Sequence, residues 1–240
     1  MVAGRCAQIL SSAGSRPDYC CVKGDQTMNF DLAQTDELLA TTRAVRKRLD
    51  FERTVPRAIV NECISLSQQA PTGGNSQGWR WIVVEDADKR AALADIYRKA
   101  AGGYLQTEGD KAKEAGDEQT LRVFHSALYL AENLQHAPLH VIPCLMGRPA
   151  EGTPIVSVAA MMGSIFPAVW SFQLALRARG LGSCLTSLHL MFEKEAAALL
   201  DIPSNVMQVA LLPVAYTKGT DFKRAQRPDP STIVHWDSWS

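Results

Sequence analysis

The chain has 240 residues, 46% of them hydrophobic, which suits one large domain or a domain with a tail. Basic and acidic residues number 25 each, so no overall field favours nucleic acid or an anionic membrane as a partner. No apolar run reads as a bilayer span, and the first ten residues lack a sustained apolar region and a clear cleavage site. The sequence reading is therefore a cytoplasmic protein.

Residues 1–29 carry Ser, Gly, Pro and Cys with no period, and read as a disordered N-terminal extension, or an upstream misassigned start, before a single domain over 30–240. A first helix is predicted from Thr35, an N-cap candidate followed by Asp36 and Glu37. Leu38, Leu39, Thr42, Val45 and Leu49 form its apolar side, and a basic turn ends it. A second helix starts at Pro56, with Ile59, Cys63, Ile64 and Leu66 inward, and stops before Pro71. Residues 71–75 form a loop. Residues 79–85 form a strand rich in β-formers, and 89–100 a helix.

Residues 102–117 are polar and contain glycine, so a loop or mobile segment is predicted, before helical spacing returns over 120–135. Residues 139–146 make a short strand. Residues 161–179 are apolar on nearly all sides and predict a buried helix capped by Gly180. A strand or extended loop follows over 181–187, then a helix over 192–200 stopped by Pro203. One long strand is predicted over 206–216, followed by a polar tail with two Trp. Helices and strands mix without a strict βαβ rhythm, which predicts an α+β fold.

The commonest catalytic signatures are missing. There is no G-x-G-x-x-G after a strand, no G-x-x-x-x-G-K-[ST] and no G-x-S-x-G. Pro138 lies between His136 and His140, which argues against a helical metal pair. His125 and His189 read as polar residues near an edge or cavity. Six cysteines occur without a C-x-x-C, and Cys63, Cys144 and Cys184 sit in apolar stretches. They read as buried free thiols rather than disulfides or zinc ligands.

Three segments say more. In Arg43-Ala44-Val45-Arg46, a helical reading puts the two arginines on one face, where paired guanidinium groups suit a phosphate and a polar ring edge. A solvated basic turn is the plainer reading. Pro71-Thr72-Gly73-Gly74-Asn75-Ser76-Gln77-Gly78-Trp79 offers close backbone approach and two amides to a flat ligand, or is an ordinary turn. Gly180-Leu181-Gly182-Ser183-Cys184 follows the apolar helix, and either offers N–H groups to a ligand or feeds a strand.

In this order, and with the late basic cluster Lys223-Arg224-Ala225-Gln226-Arg227-Pro228 and the stretch Leu199-Leu200-Asp201-Ile202-Pro203, the segments resemble the nitroreductase family, from about Thr35 to Trp239. The resemblance implies a mostly antiparallel central sheet flanked by helices, in an intertwined homodimer with FMN at the interface. It implies that Arg43 meets the FMN phosphate, with Ala44 beside it, and that Arg46 meets the pyrimidine edge. Pro71, Thr72, Gly73 and Asn75 would come from the second subunit. Leu185, Thr186 and Ser187 would line the ring near N5 and O4, and Arg227, or less favourably Arg224, would complete the phosphate site. Residues 102–119 and the helix after them would border the substrate space.

The activity implied is a ping-pong transfer of hydride from NAD(P)H, through flavin N5, to a small oxidised acceptor such as a nitroaromatic or a quinone. The flavin does the chemistry, so no side-chain nucleophile or general base is needed. A cation at the pyrimidine edge stabilises the negative charge that hydride arrival places over N1 and O2. Three departures stand out: Ala44 replaces the usual Ser, Trp170-Ser171 replaces Gln-Asn, and Val214-Ala215-Tyr216 lacks a Gly before Tyr. An alternative is a flavin-binding or storage protein on the same fold without efficient NAD(P)H turnover. A third reading is an unrelated α+β interaction protein.

Overall fold

The computed structural model describes residues 30–239. The extension over 1–29, with Cys6, Cys20 and Cys21, lies outside the described residues. The elements run α1 (Leu32–Thr41), β1 (Leu49–Asp50), α2 (Arg57–Ser67), β2 (Trp79–Val84), α3 (Ala87–Glu114), α4 (Glu118–Asn133), β3 (Leu139–Met146), α5 (Ile155–Ala178), β4 (Leu181–Ser183), α6 (Glu193–Leu199), β5 (Val206–Gln208) and β6 (Leu212–Thr217). The α+β fold is as the sequence predicts, with a six-stranded sheet in the order β1-β6-β3-β2. β4 joins β6 and β5 joins β3, and every strand pairing is antiparallel.

β3 is the central strand, buried from Leu139 to Leu145. Its side chains alternate between two cores, as the period of two requires. Leu139, Val141 and Leu145 pack with Val60 of α2 and with Ile165, Val169 and Phe172 of α5. Ile142 and Cys144 pack with Leu93 and Tyr97 of α3 and Leu130 of α4. The sheet is thus sandwiched between two helical layers. Cys63, Cys144 and Cys184 are buried free thiols, as predicted, and burial pushes the Cys144 thiol up to about 12.

Four sequence-based boundaries are corrected. The first helix begins after Asp31, whose side chain accepts from the Gln34 N–H, and ends at Thr41 rather than running to Leu49. The Thr41 and Thr42 hydroxyls donate back to the Glu37 and Leu38 carbonyls, both at 2.6 Å. Beyond them the backbone is recruited by β4, with an Ala44–Ser183 parallel bridge and Val45 N–H donating to Ser183 O at 2.9 Å. Arg43 and Arg46 therefore lie on an extended segment and its turn, not on a helix.

The segment over 102–117 is not a loop. α3 runs unbroken through Gly102 and Gly103 to Glu114. A buried stripe of Tyr97, Ala101, Leu105 and Ala112 packs toward α4, and Gly109 lies against Phe124. Tertiary packing outweighs the cost of about 1 kcal/mol that each interior glycine imposes on a helix.

The predicted strand over 206–216 is two strands with a bulge between them. Cys144 pairs with Gln208 while Val141 pairs with Leu212, so four steps on one strand oppose three on the other. The cause is Pro143, whose carbonyl accepts from Val209 N–H at 3.1 Å but which has no N–H to return. The bulge sends Val209 and Ala210 to the same core and frees Leu211 to exchange hydrogen bonds with Thr186 at 3.1 and 2.8 Å. A β-bulge thereby holds the 184–187 segment in place.

The fourth correction concerns α5. At 24 residues with a mean hydropathy of 1.7, it is long and apolar enough to cross a membrane by length and composition. Here it serves as a core helix, burying Ile165, Val169, Phe172 and Leu176. It is not buried on all sides, because Ile155, Val156, Phe166 and Trp170 remain exposed in the single chain.

Candidate functional site

An open cleft of about 990 Å³ lies between the 42–48 segment, α4, Trp170 of α5 and the tail over 221–227. Its walls carry seven basic side chains, from Arg43, Arg46, Arg48, Arg122, Lys223, Arg224 and Arg227, against the one carboxylate of Asp221. Its volume is at the upper end of small-molecule and cofactor pockets. So unbalanced a set of donors suits an anionic ligand.

The 42–48 segment forms the floor. Val45 is buried over Gly182 of β4, where an added Cβ would stand 3.0 Å from the Val45 Cβ and 2.7 Å from Thr217 Cγ2. Only glycine allows this close approach, which sets the height of Arg43, Ala44 and Arg46 at the cleft. Arg46 donates to Ser126 Oγ of α4 at 3.2 Å. Burial raises the Tyr97 and Cys184 pKa values, and the nearby Arg46 guanidinium draws both back down. Arg46 thus stands where the cleft floor meets the 184–187 segment.

The tail is fastened by Arg48. It donates to Lys218 O at 2.8 Å, pairs with Asp221 Oδ1 at 2.6 Å, and lies over the Phe222 ring at 4.3 Å. The clamp brings the basic 223–227 cluster to the cleft mouth. Arg43 donates through Nε to Lys223 O at 2.6 Å and closes the ring of contacts.

The candidate residues fall into three groups. Arg43, Ala44, Arg46 and Arg227 line the one cleft. Pro71, Thr72, Gly73 and Asn75 do not line it. They form a tight loop against α5, in which Gly73 N–H donates to Ser164 Oγ at 3.0 Å and Trp79 Nε1 donates to Ser164 O at 2.6 Å. Gly74 and Asn75 take positive φ angles of 58° and 52°, which glycine and asparagine tolerate. Leu185, Thr186 and Ser187 are also outside the cleft lining. Leu185 is exposed, Thr186 is buried with its hydroxyl 3.0 Å from the Tyr97 hydroxyl, and Ser187 leads into a short 3-10 turn over Leu188–Phe192.

Sequence reasoning put residues 102–119 and the helix after them at the border of the substrate space, but did not single out Arg48, Gln119, Arg122 or Ser126 as site residues. For the last three the signal was available, since spacings of three and four place them on one side of α4. Among the described residues no group of three or more His, Cys, Asp or Glu could hold a metal ion.

Solved structures share this fold. Oxidised iodotyrosine deiodinase, bound to FMN and 3-iodo-L-tyrosine, is 22% identical, covers 85% of this chain and 98% of its own, and superposes with a TM-score of 0.65. An FMN- and NADPH-dependent nitroreductase from Sphigopyxis sp. strain HMH is 20% identical over 85% of this chain and 99% of its own, with a TM-score of 0.60. In sequence, a 5,6-dimethylbenzimidazole synthase of Rhodospirillum rubrum is 27% identical over 73% of this chain and 77% of that protein. The model of the Nitroreductase family matches residues 39–216, and the chain belongs to that family.

Proposed function

We propose that this protein is an FMN-dependent oxidoreductase that passes hydride from NAD(P)H, by way of the flavin, to a small oxidised acceptor such as a nitroaromatic or a quinone. The observation that carries the reading is the convergence of Arg43, Arg46 and the 223–227 cluster on one cleft in a chain of this family. The donor set fits the cofactor: Arg43 with Lys223, Arg224 or Arg227 would hold the phosphate, and Arg46 the pyrimidine edge. Bound FMN would supply a carrier that takes up and gives back hydride. The chain's own part is binding and orientation. Ser126 positions Arg46, and Arg48 keeps the basic tail at the cleft mouth.

A second copy of the chain completes the reading. The loop with Pro71, Thr72, Gly73 and Asn75 would reach the flavin across a dimer interface, since it does not line the cleft of its own chain. Apolar surface left open on α5 supports self-association, with Ile155 81% and Val156 71% exposed.

The names of the relatives favour a second reading, in which the flavin serves a reaction other than nitroreduction. The visible spectrum of the purified protein, taken before and after anaerobic NADH or NADPH, tests both. Flavin bands that bleach support the reductase. Flavin bands that persist with both nucleotides favour a binding protein or another electron donor. A colourless protein that cannot be reconstituted with FMN defeats the proposal.

A further inference from the structure

The cleft carries more positive charge than one FMN would neutralise. Its seven basic side chains face a single carboxylate, and that carboxylate already pairs with Arg48. A phosphate monoester brings a charge of about −1.5 to −2. Arg43 and the tail cluster lie together and account for it. Arg122 stands apart, on α4; its guanidinium makes no side-chain hydrogen bond or ion pair among the described residues, though its charge, after the Thr120 and Gln119 hydrogen bonds, helps hold the Asp117 carboxyl below its usual range. The nearby Asp117 carboxylate is engaged by the Thr120 N–H at 2.9 Å as the cap of α4. Gln119 lies one turn before Arg122 and Ser126 one turn after, all three on the cleft wall. Val123 and Trp170 add apolar surface to the same cleft and are 46% and 43% exposed.

A guanidinium lining the cleft, an amide one turn away and an apolar surface nearby together match a flat molecule carrying an anionic group. We propose that Arg122, with Gln119, is a specificity site for a carboxylate or phosphate on the small molecule that reacts in this cleft, its flat apolar part lying against Val123 and Trp170. The inference rests on the FMN reading above. Its anion could be a carboxylate of the acceptor or the 2′-phosphate of NADPH.

The test uses FMN-loaded full-length protein and calorimetric titration with two matched pairs: 4-nitrobenzoate against 4-nitrobenzyl alcohol, and NADP⁺ against NAD⁺. In at least one pair the anionic member should bind about tenfold or more tightly, the usual scale of a charged hydrogen bond. Arg122→Gln should erase that preference and Arg122→Lys should keep part of it, with FMN affinity and Tm unchanged. A preference confined to the nitrobenzoate pair assigns the site to the acceptor; one confined to the dinucleotide pair assigns it to the donor. Equal affinities within both pairs, or a preference that survives Arg122→Gln, overturn the anion site alone. Failure to take up FMN sinks the FMN reading and this inference with it.

Discussion

Arg43 and Lys223 lie 180 positions apart, yet the Arg43 guanidinium donates through both Nε and Nη2 to the Lys223 carbonyl. The contact joins the segment after the first helix to the tail after the last strand. The basic side chains of the two segments therefore face one space.

Replacing Arg43 should act on both partners. Arg43→Ala is expected to weaken FMN binding by about 1–3 kcal/mol, the scale of a charged hydrogen-bond partner. It should also loosen the tail, seen as faster limited proteolysis after residue 217. Unchanged flavin affinity in a fluorescence titration would remove Arg43 from the phosphate site.

Gly182→Ala should overpack the floor of the cleft. The new methyl would meet Thr217 Cγ2 at 2.7 Å and Val45 Cβ at 3.0 Å. Both neighbours are β-branched and stiff, so the strands must separate. A loss of about 1–3 kcal/mol in urea unfolding is expected, and a variant as stable as the parent would show that the floor yields freely.

Gly102→Ala and Gly103→Ala should do the reverse. Both lie inside α3, both are exposed, and a Cβ at either position meets nothing within 4 Å. Each is expected to stabilise the protein by about 0.5–1 kcal/mol through lower unfolded-state entropy. A fall in Tm instead would mean that the middle of α3 is not helical in solution.

Acid should weaken the fold before it protonates the native histidines. His140 and His189 are fully buried, and burial pushes both pKa values down from 6.5 to about 4. His140 holds one ring nitrogen 2.9 Å from the Leu134 carbonyl, and at His189 the nearby Glu193 carboxylate and Gln208 side chain only partly oppose the effect of burial. Well above pH 6.5 both rings are neutral, folded or unfolded, and contribute nothing to the pH dependence. Between 6.5 and about 4 the unfolded chain takes up protons that the native one refuses, so stability falls as pH falls. At 1.36 kcal/mol per pKa unit the full effect is about 3 kcal/mol per histidine. Urea midpoints at pH 7.5 and 5.0 check this, and His189→Gln should flatten the dependence. A parent protein equally stable at both values would contradict it.

The sequence by itself determined the elements with strong local chemistry. Pro56 preceded α2, Gly180 closed α5 through a positive φ of 74°, and the run from Leu139 to Met146 was the central strand with those same limits. Apolar periodicity and the conformational limits of proline and glycine are local, so they survive whatever the fold does around them. Family membership was legible too, because it rests on ordered motifs. Other features depended on partners distant in the chain. The helix through Gly102 and Gly103 exists because α4 packs on it. The bulge after Gln208 exists because Pro143, on the neighbouring strand, has no N–H to give. Arg43 and Arg46 left the helix because β4 bonds the backbone between them. These outcomes turn on hydrogen bonds and packing between residues tens to hundreds of positions apart, which no window of sequence contains, and tertiary structure alone decided them.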